Sequence, residues 1–231
     1  MCIRCVDEIL KCQKCQARCV KNGKTRSGIQ RYLCKACGKT KQSGYTYKAL
    51  IGNINQQIVR FLKEGLGIRN IARLLEISTN TVNRRILEIG AKVEKPMVSM
   101  NQNYELDELK TYVKFKRNEM YVGYALNPET GQVANFMAGK RNKRNLKLIT
   151  DTLLFSRAKR VDTDGLNIYK SLLPREIHRI KHRGINHIER MNLTLRTHLK
   201  RLNRRTICFS KSLRCLKAVL KIYFWADPER V

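Results

Sequence analysis

The sequence predicts a multi-domain chain: a small cysteine-built ribbon, then a three-helix module, then a mixed α/β domain. Three observations predict it. Two Cys-x2-Cys pairs stand near the start, apolar residues at helical spacing follow, and beyond Pro96 the apolar pattern alternates at period two, broken by helical stretches. The 231 residues suffice for a globular core plus one or two small modules, and 42% hydrophobic content excludes a disordered basic tail.

The charge balance narrows the partner. Forty-eight Lys and Arg against 18 Asp and Glu leave a formal charge of +30, which repels itself in a compact state and is best accommodated beside a polyanion. Divided near Pro96, 20 basic minus 6 acidic residues give +14 and 28 minus 12 give +16. Both halves are therefore suited to nucleic acid. The charges are spread through folded-looking sequence and not gathered in one juxtamembrane cluster, which disfavours a membrane surface. No stretch is apolar over the length that spans a bilayer. The opening MCIRCVDEILKC lacks an apolar signal core, so a cytoplasmic location is expected, where cysteines serve as thiols or metal ligands.

Residues 1–45 form the expected ribbon. Cys12-x2-Cys15 and Cys34-x2-Cys37 have the spacing of a four-cysteine zinc site, each pair offering two thiolates from one knuckle. Between them, VKNGKTRSGIQRYLC reads as a polar hairpin and a short strand. Cys2, Cys5 and Cys19 are expected to be spare thiols, and Cys208 and Cys215 buried apolar ones.

Residues 50–93 read as a helix-turn-helix. Ile54, Ile58, Phe61 and Leu62 make one stripe, ended by Gly65 and Gly67. Ile68, Ile71, Ala72 and Leu75 make a second, and Val82, Ile86 and Ile89 a third. In such a motif the last helix enters the major groove, N-terminal end first, so Thr79, Asn80, Asn83 and Arg84 are the expected DNA-binding residues. A solvated polar face on a small helical bundle is the plainer alternative. Residues 94–103, with Pro96, read as a linker.

Residues 104–231 carry the α/β pattern. YELDELKTYVKF, MYVGYAL and VANFMA read as three strands, followed by a helix over Lys143–Leu154, a short strand RVDTD stopped by Gly165, another strand near Ile177–His182, and a long helix. Asp107 alternates with Leu106 and so faces away from that residue's apolar side. An aspartate closes the fourth strand, and composition leaves Asp162 and Asp164 both open. From Ile177 to Ala226 thirteen Lys and Arg surround one acid, Glu189. On the last helix Ile188, Met191, Leu195, Leu199 and Leu202 form an apolar face, and Glu189, Asn192, Arg196 and Lys200 lie beside it. That packing is expected to hold Glu189 next to the sheet. Three carboxylates gathered this way suit two Mg²⁺ or Mn²⁺ ions. His178, His182, His187 and His198 are expected to be exposed or to meet phosphate, and Trp225 to be core.

RYLCKACGKT with its preceding Cys pair, the helical module, DELKTYVKFK, DTDGLNIYK and HIERMNLTLRTHLKRLNRRTICFSKS together resemble the insertion sequence one family of bacterial transposases, across most of the chain. The resemblance implies an RNase H-like catalytic domain with a DDE triad, the metal-binding catalytic residues being Asp107, Asp164 and Glu189. It selects Asp164 over Asp162 and adds Arg196, seven positions after Glu189, as a phosphate contact. It also implies metal-dependent strand cleavage and strand transfer, recognition of terminal inverted repeats by the N-terminal modules, and a homo-oligomer on double-stranded DNA, nucleoid-associated when bound. The continuous reading frame and the extra Cys2-x2-Cys5 knuckle depart from the family pattern. The competing readings are a zinc-ribbon and helix-turn-helix regulator without catalysis, and a structure-selective nuclease.

Overall fold

The computed structural model describes residues 10–44, 47–50, 52–181 and 186–230. Cys2, Cys5 and His182 lie outside the described residues. The chain divides into two compact units, Met1–Gly52 and Asn53–Val231.

The first unit is a three-stranded antiparallel sheet in the order β1 (Cys19–Lys24), β2 (Gln30–Cys34), β3 (Thr40–Gln42). The β1–β2 turn closes where Ile29 N–H donates to Thr25 Oγ1 at 3.1 Å and Gly28 takes φ +80°, a conformation open to glycine without a Cβ clash. A second turn, Cys34–Gly38, returns the chain from β2 to β3 and carries the second cysteine pair.

The second unit opens with three helices, α1 (Ile54–Lys63), α2 (Ile68–Leu74) and α3 (Thr79–Lys92). The predicted stripes are their inner faces: Ile58, Ile71, Val82 and Ile86 are fully buried. Ser78 starts α3 by accepting the Thr81 N–H at 3.0 Å, a side-chain cap worth about 1 kcal/mol.

A five-stranded mixed sheet follows, in the order β6-β5-β4-β7-β8. β4 (Asn103–Val113), β5 (Phe115–Leu126) and β6 (Val133–Gly139) form an antiparallel meander; β7 (Arg160–Thr163) and β8 (His178–Ile180) add in parallel. The meander's second turn is fixed by Asn127, whose Oδ1 accepts the N–H groups of Glu129 and Thr130 at 2.9 and 3.2 Å. This strand order fits the expected RNase H-like domain. β8 is shorter than the expected strand over Ile177–His182.

α4 (Lys143–Phe155), capped by Asn142, covers one sheet face. Leu106, Ala125, Met137, Ile149 and Leu153 form the core there, joined by Tyr169 from the short α5 (Asn167–Lys170). α6 (Asn186–His198) and α7 (Leu213–Trp225) cover the other face. Its packing is aromatic: Phe224 lies 5.6 Å from Tyr124 and 5.5 Å from Phe136, and Trp225 lies 5.1 Å from Phe136, ring centre to ring centre. Trp225 is only half-buried, its Nε1 donating to the Val133 carbonyl at 2.9 Å.

α7 serves two masters, since α1 and α3 pack against it as well. A Cβ on Gly90 of α3 would sit 2.7 Å from the Ala218 Cβ, and one on Gly65 would sit 2.5 Å from the His198 carbonyl oxygen. The backbones meet there because those positions carry no side chain. Residues 94–102 hold no regular element. They lie along the end of α4, where Lys95 Nζ donates to Thr152 Oγ1 at 2.9 Å and Asn101 N–H to the Ser156 carbonyl at 3.0 Å.

Two cysteine expectations separate. Cys215 is buried, whereas Cys208 is exposed, because the α6–α7 connection turns Thr206 and Ser210 inward and leaves Ile207 and Cys208 to solvent. Of the described histidines, His187 is exposed as expected, and His178 and His198 are half-buried. His178 pairs with Thr163 Oγ1 at 2.9 Å, His187 with Glu105 at 3.1 Å and His198 with the Tyr223 hydroxyl at 2.8 Å.

Candidate metal and DNA-processing site

The register between β4 and β7 builds the acidic site. Leu106 pairs with Thr163, so the next residue on each strand, Asp107 and Asp164, emerges side by side where β7 ends. Gly165, at φ +93°, turns the chain away immediately, and Asp164 Oδ1 accepts the Leu166 N–H at 3.1 Å. Carboxylate oxygens of Asp107, Glu108 and Asp164 lie within 4.8 Å of one another. Asp162, by contrast, is 2% exposed and faces Lys181 at 2.8 Å and Arg160 at 3.2 Å. Asp164 and not Asp162 thus joins the acidic cluster.

Adjacent residues of a strand point to opposite sheet faces, and Asp107 and Glu108 have different neighbours accordingly. Asp107 faces α6: Asn192 Nδ2 donates to its Oδ2 at 2.6 Å, and the Glu108 N–H to its Oδ1 at 2.7 Å. Asn192 is itself held by Tyr124, whose O–H donates to the amide oxygen at 2.7 Å. Glu108 faces α5, where the Tyr169 hydroxyl donates to its Oε1.

Burial pushes the Asp107 carboxyl above its ordinary range and Asp164 adds to this; the Glu108 N–H, Asn192 and Arg196 pull it back. Burial, then the charges of Asp164 and Asp107, push Glu108 up to about 8 against the pull of Arg141. Like charges crowded in a half-buried place are the condition a cation relieves. The donor set is all oxygen, which suits Mg²⁺ or Mn²⁺.

Glu189 stands apart from this group. It is exposed on α6 and absent from the cluster within 4.8 Å. The stripe that docks is Ile188, Asn192 and Leu195, not a face that includes Glu189, and Met191 is only half-buried. Buried Glu105 fixes the helix start, accepting the Ile188 N–H at 2.8 Å. One turn of α6 separates Glu189 from Asn192, about 5 Å along the axis. Arg196 lies farther along the helix, half-buried near Asp107. Burial and the neighbouring Arg204 lower its pKa, and its buried Nε has no hydrogen-bond partner among the described residues.

Sequence reasoning missed Glu108 and Tyr124. Glu108 had a signal, its place beside Asp107, but alternation assigned it to the other face. Tyr124 stands directly across from Asp107 on β5, a pairing that register alone reveals.

The four predicted thiols of the ribbon also converge. Cys12, Cys15, Cys34 and Cys37 have their sulfurs within 4.8 Å of one another, Cys12 and Cys37 at 3.6 Å and Cys15 and Cys34 at 3.4 Å. A tetrahedron with Zn–S bonds near 2.3 Å has sulfurs about 3.8 Å apart, so the set fits zinc. Backbone N–H groups of Cys15 and Lys14 draw the Cys12 thiol down to about 6, and that of Cys37 lowers Cys34. Cys15, although it accepts a backbone hydrogen bond from Ala17, is pushed up to about 12 by the sulfurs of Cys34 and Cys37. Four thiolates cannot share this space without a cation.

Of the expected DNA-reading residues, Thr79 and Asn80 are exposed on the first turn of α3. Asn83 Oδ1 accepts from Cys215 Sγ at 3.4 Å and Arg84 donates to Glu88 at 3.1 Å. Thr79, Asn80 and Arg84 therefore face outward, Arg84 in a surface ion pair with Glu88, and Asn83 is turned toward α7.

Among solved structures, the chain is similar to one in the cryoEM structure of a simian T-cell lymphotropic virus intasome in complex with PP2A regulatory subunit B56 gamma. Identity is 15% and the TM-score 0.36, over 71% of this chain and 66% of that one, just under two thirds of its length. The family model described as IS1 transposase matches residues 102–226, more than half of the chain, from the residue before β4 to the residue after α7. On that match, the chain belongs to the IS1 transposase family.

Proposed function

We propose that the chain is a DNA transposase that binds the terminal inverted repeats of an insertion sequence and catalyses metal-dependent strand cleavage and strand transfer. The observation that carries this is the convergence of Asp107 and Asp164 at the end of β7. In this reading Asp107 and Asp164 hold Mg²⁺ or Mn²⁺, and Glu189 completes the triad from α6. Bound cations supply activation of the attacking oxygen and charge neutralisation of the leaving one. The remaining work falls to the chain. Asn192 and the Glu108 N–H each hold one Asp107 oxygen, which fixes the orientation of the carboxylate. Arg196, a cation close enough to Asp107 to feel its charge, neutralises the reacting phosphate. Water displaces the 3′ oxygen at the element's end, and the freed 3′-hydroxyl displaces an oxygen of a target phosphodiester. No protein nucleophile is required.

The same proposal gives the four cysteines a structural Zn²⁺. It makes residues 1–45 a zinc ribbon, 50–93 a helix-turn-helix that presents Thr79, Asn80 and Arg84 to bases, 94–103 the linker and 104–231 the catalytic domain. The partner is double-stranded DNA, held by a homo-oligomer because two ends must be joined. Among the described residues no helix is long and apolar enough to cross a membrane.

The test is cleavage of a labelled duplex carrying the element's end, with Mg²⁺ or Mn²⁺, comparing wild type with Asp107→Asn. Retained binding with cleavage lost supports the reading. Wild-type binding with no cleavage under either metal would favour the regulator.

A further inference from the structure

The α1–α2 turn faces the connection between α6 and α7 across a crevice of about 520 Å³. Arg69 and Asn70 line one wall; Lys200, Arg201 and Lys211 line the other. Arg69, Lys200 and Lys211 are exposed, and none has an acidic partner among the described residues. From Arg190 to Ala226 the sequence contains no acid at all. Arg69 and Asn70 also line a second, shallower groove with Arg73 and Thr79, so the two depressions adjoin at α2. The strip runs from the first turn of α3, past α2, to the carboxyl end of α6.

The other end of α6 is tied to the acidic cluster through Asn192 and Asp107. Six residues separate Asn192 from His198, about 9 Å of helix. The crevice therefore lies between the exposed face of α3 and the carboxylates. The close approach of Gly65 to His198 fixes its two walls against each other. We propose that this crevice holds the phosphate backbone of DNA, and that it leads one duplex from α3 to the acidic cluster of the same chain.

This rests on the transposase reading and adds a surface that the reading does not supply. The crevice floor is apolar, with Leu62, Leu66, Leu199 and Val219, while exposed cations without an acidic partner stand on both walls and, among the described residues, no carboxylate lines the α6–α7 wall. Glu76 sits only at the far, shallow end. A duplex presents one negative charge per about 1.7 Å of axis, which matches cations spaced along a strip better than a single acidic ligand would.

The experiment compares full-length wild type with the triple variant Arg69→Ala/Lys200→Ala/Lys211→Ala on an element-end duplex of about three helical turns. Affinity is measured across a salt series, beside the same duplex scrambled. The three side chains are exposed, so the melting temperature should stay unchanged. Each lost phosphate contact lowers the slope of log affinity against log salt by about 0.9; the variant should lose about two to three from that slope, on both duplexes equally. Thr79→Ala/Asn80→Ala should instead narrow the preference for the true end and leave the slope alone. An unchanged slope in the triple variant, with wild type binding normally, overturns the crevice as a DNA track. Wild type that binds neither duplex overturns the transposase reading beneath it.

Discussion

Asn192 donates to the Oδ2 of Asp107 across 2.6 Å, and its own amide oxygen is taken by the Tyr124 hydroxyl at 2.7 Å. The tyrosine thus decides which end of the amide meets the carboxylate. Were the amide flipped, two oxygens would face each other in a buried place. A chain of two bonds from β5 through α6 to β4 fixes the rotamer of the first aspartate.

Asn192→Ala removes that donor and leaves Asp107 less oriented. Loss of such an outer-shell partner typically lowers metal affinity or activity about 10–100-fold. We expect Mn²⁺ affinity by calorimetry to fall in that range. Tyr124→Phe keeps the ring packing, removes only the hydroxyl, and should cost about 1 kcal/mol of stability. A Tyr124→Phe protein with wild-type Mn²⁺ affinity would show that the amide needs no such fixing.

Glu108 gives a pH dependence with a definite sign. Its folded pKa is raised, from an ordinary 4.5 to about 8. The folded state therefore binds the proton more tightly than the unfolded one, and stability from this group is full below 4.5 and lost as pH rises through about 8. The chelated protein should melt at progressively lower temperature between those values. Glu108→Gln should flatten the curve, and Mn²⁺ should raise the alkaline end. The readout is a thermal melt at each pH with and without chelator.

The two candidate third carboxylates separate by mutation. Glu108, near neutrality, is largely protonated and already engaged by Tyr169, so Glu108→Gln should reduce cleavage about 10-fold or less. Glu189→Gln, isosteric and exposed, should reduce it at least about 100-fold while DNA binding is kept. Single-turnover cleavage measures both, and the reverse ranking would assign the third ligand to Glu108.

The cysteine cluster predicts one zinc per chain. Cys34→Ser, at a buried position, should abolish it, whereas Cys19→Ser should leave it. Zinc released to a chromogenic chelator after thiol modification gives the count.

Gly90→Ala brings a methyl group to 2.7 Å of the Ala218 Cβ, well inside contact distance. Overpacking of this kind costs about 1–3 kcal/mol. Urea unfolding should show that loss, and Ala218→Gly in the same chain should recover part of it.

Much of this was legible in one dimension. The Cys12–Cys37 spacing contains its own geometry, because two knuckles have few ways to close. The strands were legible because alternation is local, and the stripes of Ile58, Ile71, Val82 and Ile86 because helical period is local. What failed was pairing between distant elements. Asn83 faces Cys215 because α3 docks on α7, a contact 132 residues apart in sequence. Glu108 joins Asp107 despite opposite strand parity because Asp164 projects beyond the last paired residue of β7 and is reached from both faces. The exposure of Glu189 follows from a helix roll set by Glu105, Ile188 and Asn192, and a stripe of apolar letters does not fix roll to within one residue. Cys208 was misplaced for a simpler reason: an isolated thiol in a connection carries no periodicity at all.

The contact between Gly90 and Ala218 has a metrical consequence. Two helices that touch backbone to backbone have no soft side chains with which to slide. The exposed turn of α3 and the strand-end carboxylates therefore keep one separation and one angle, like the jaws of a fixed caliper. On the proposed function, a chain of this build measures DNA as well as holding it. Its breaks should fall at a set number of base pairs from the sequence it reads, and lengthening α7 by one residue would turn one jaw by about 100° against the other.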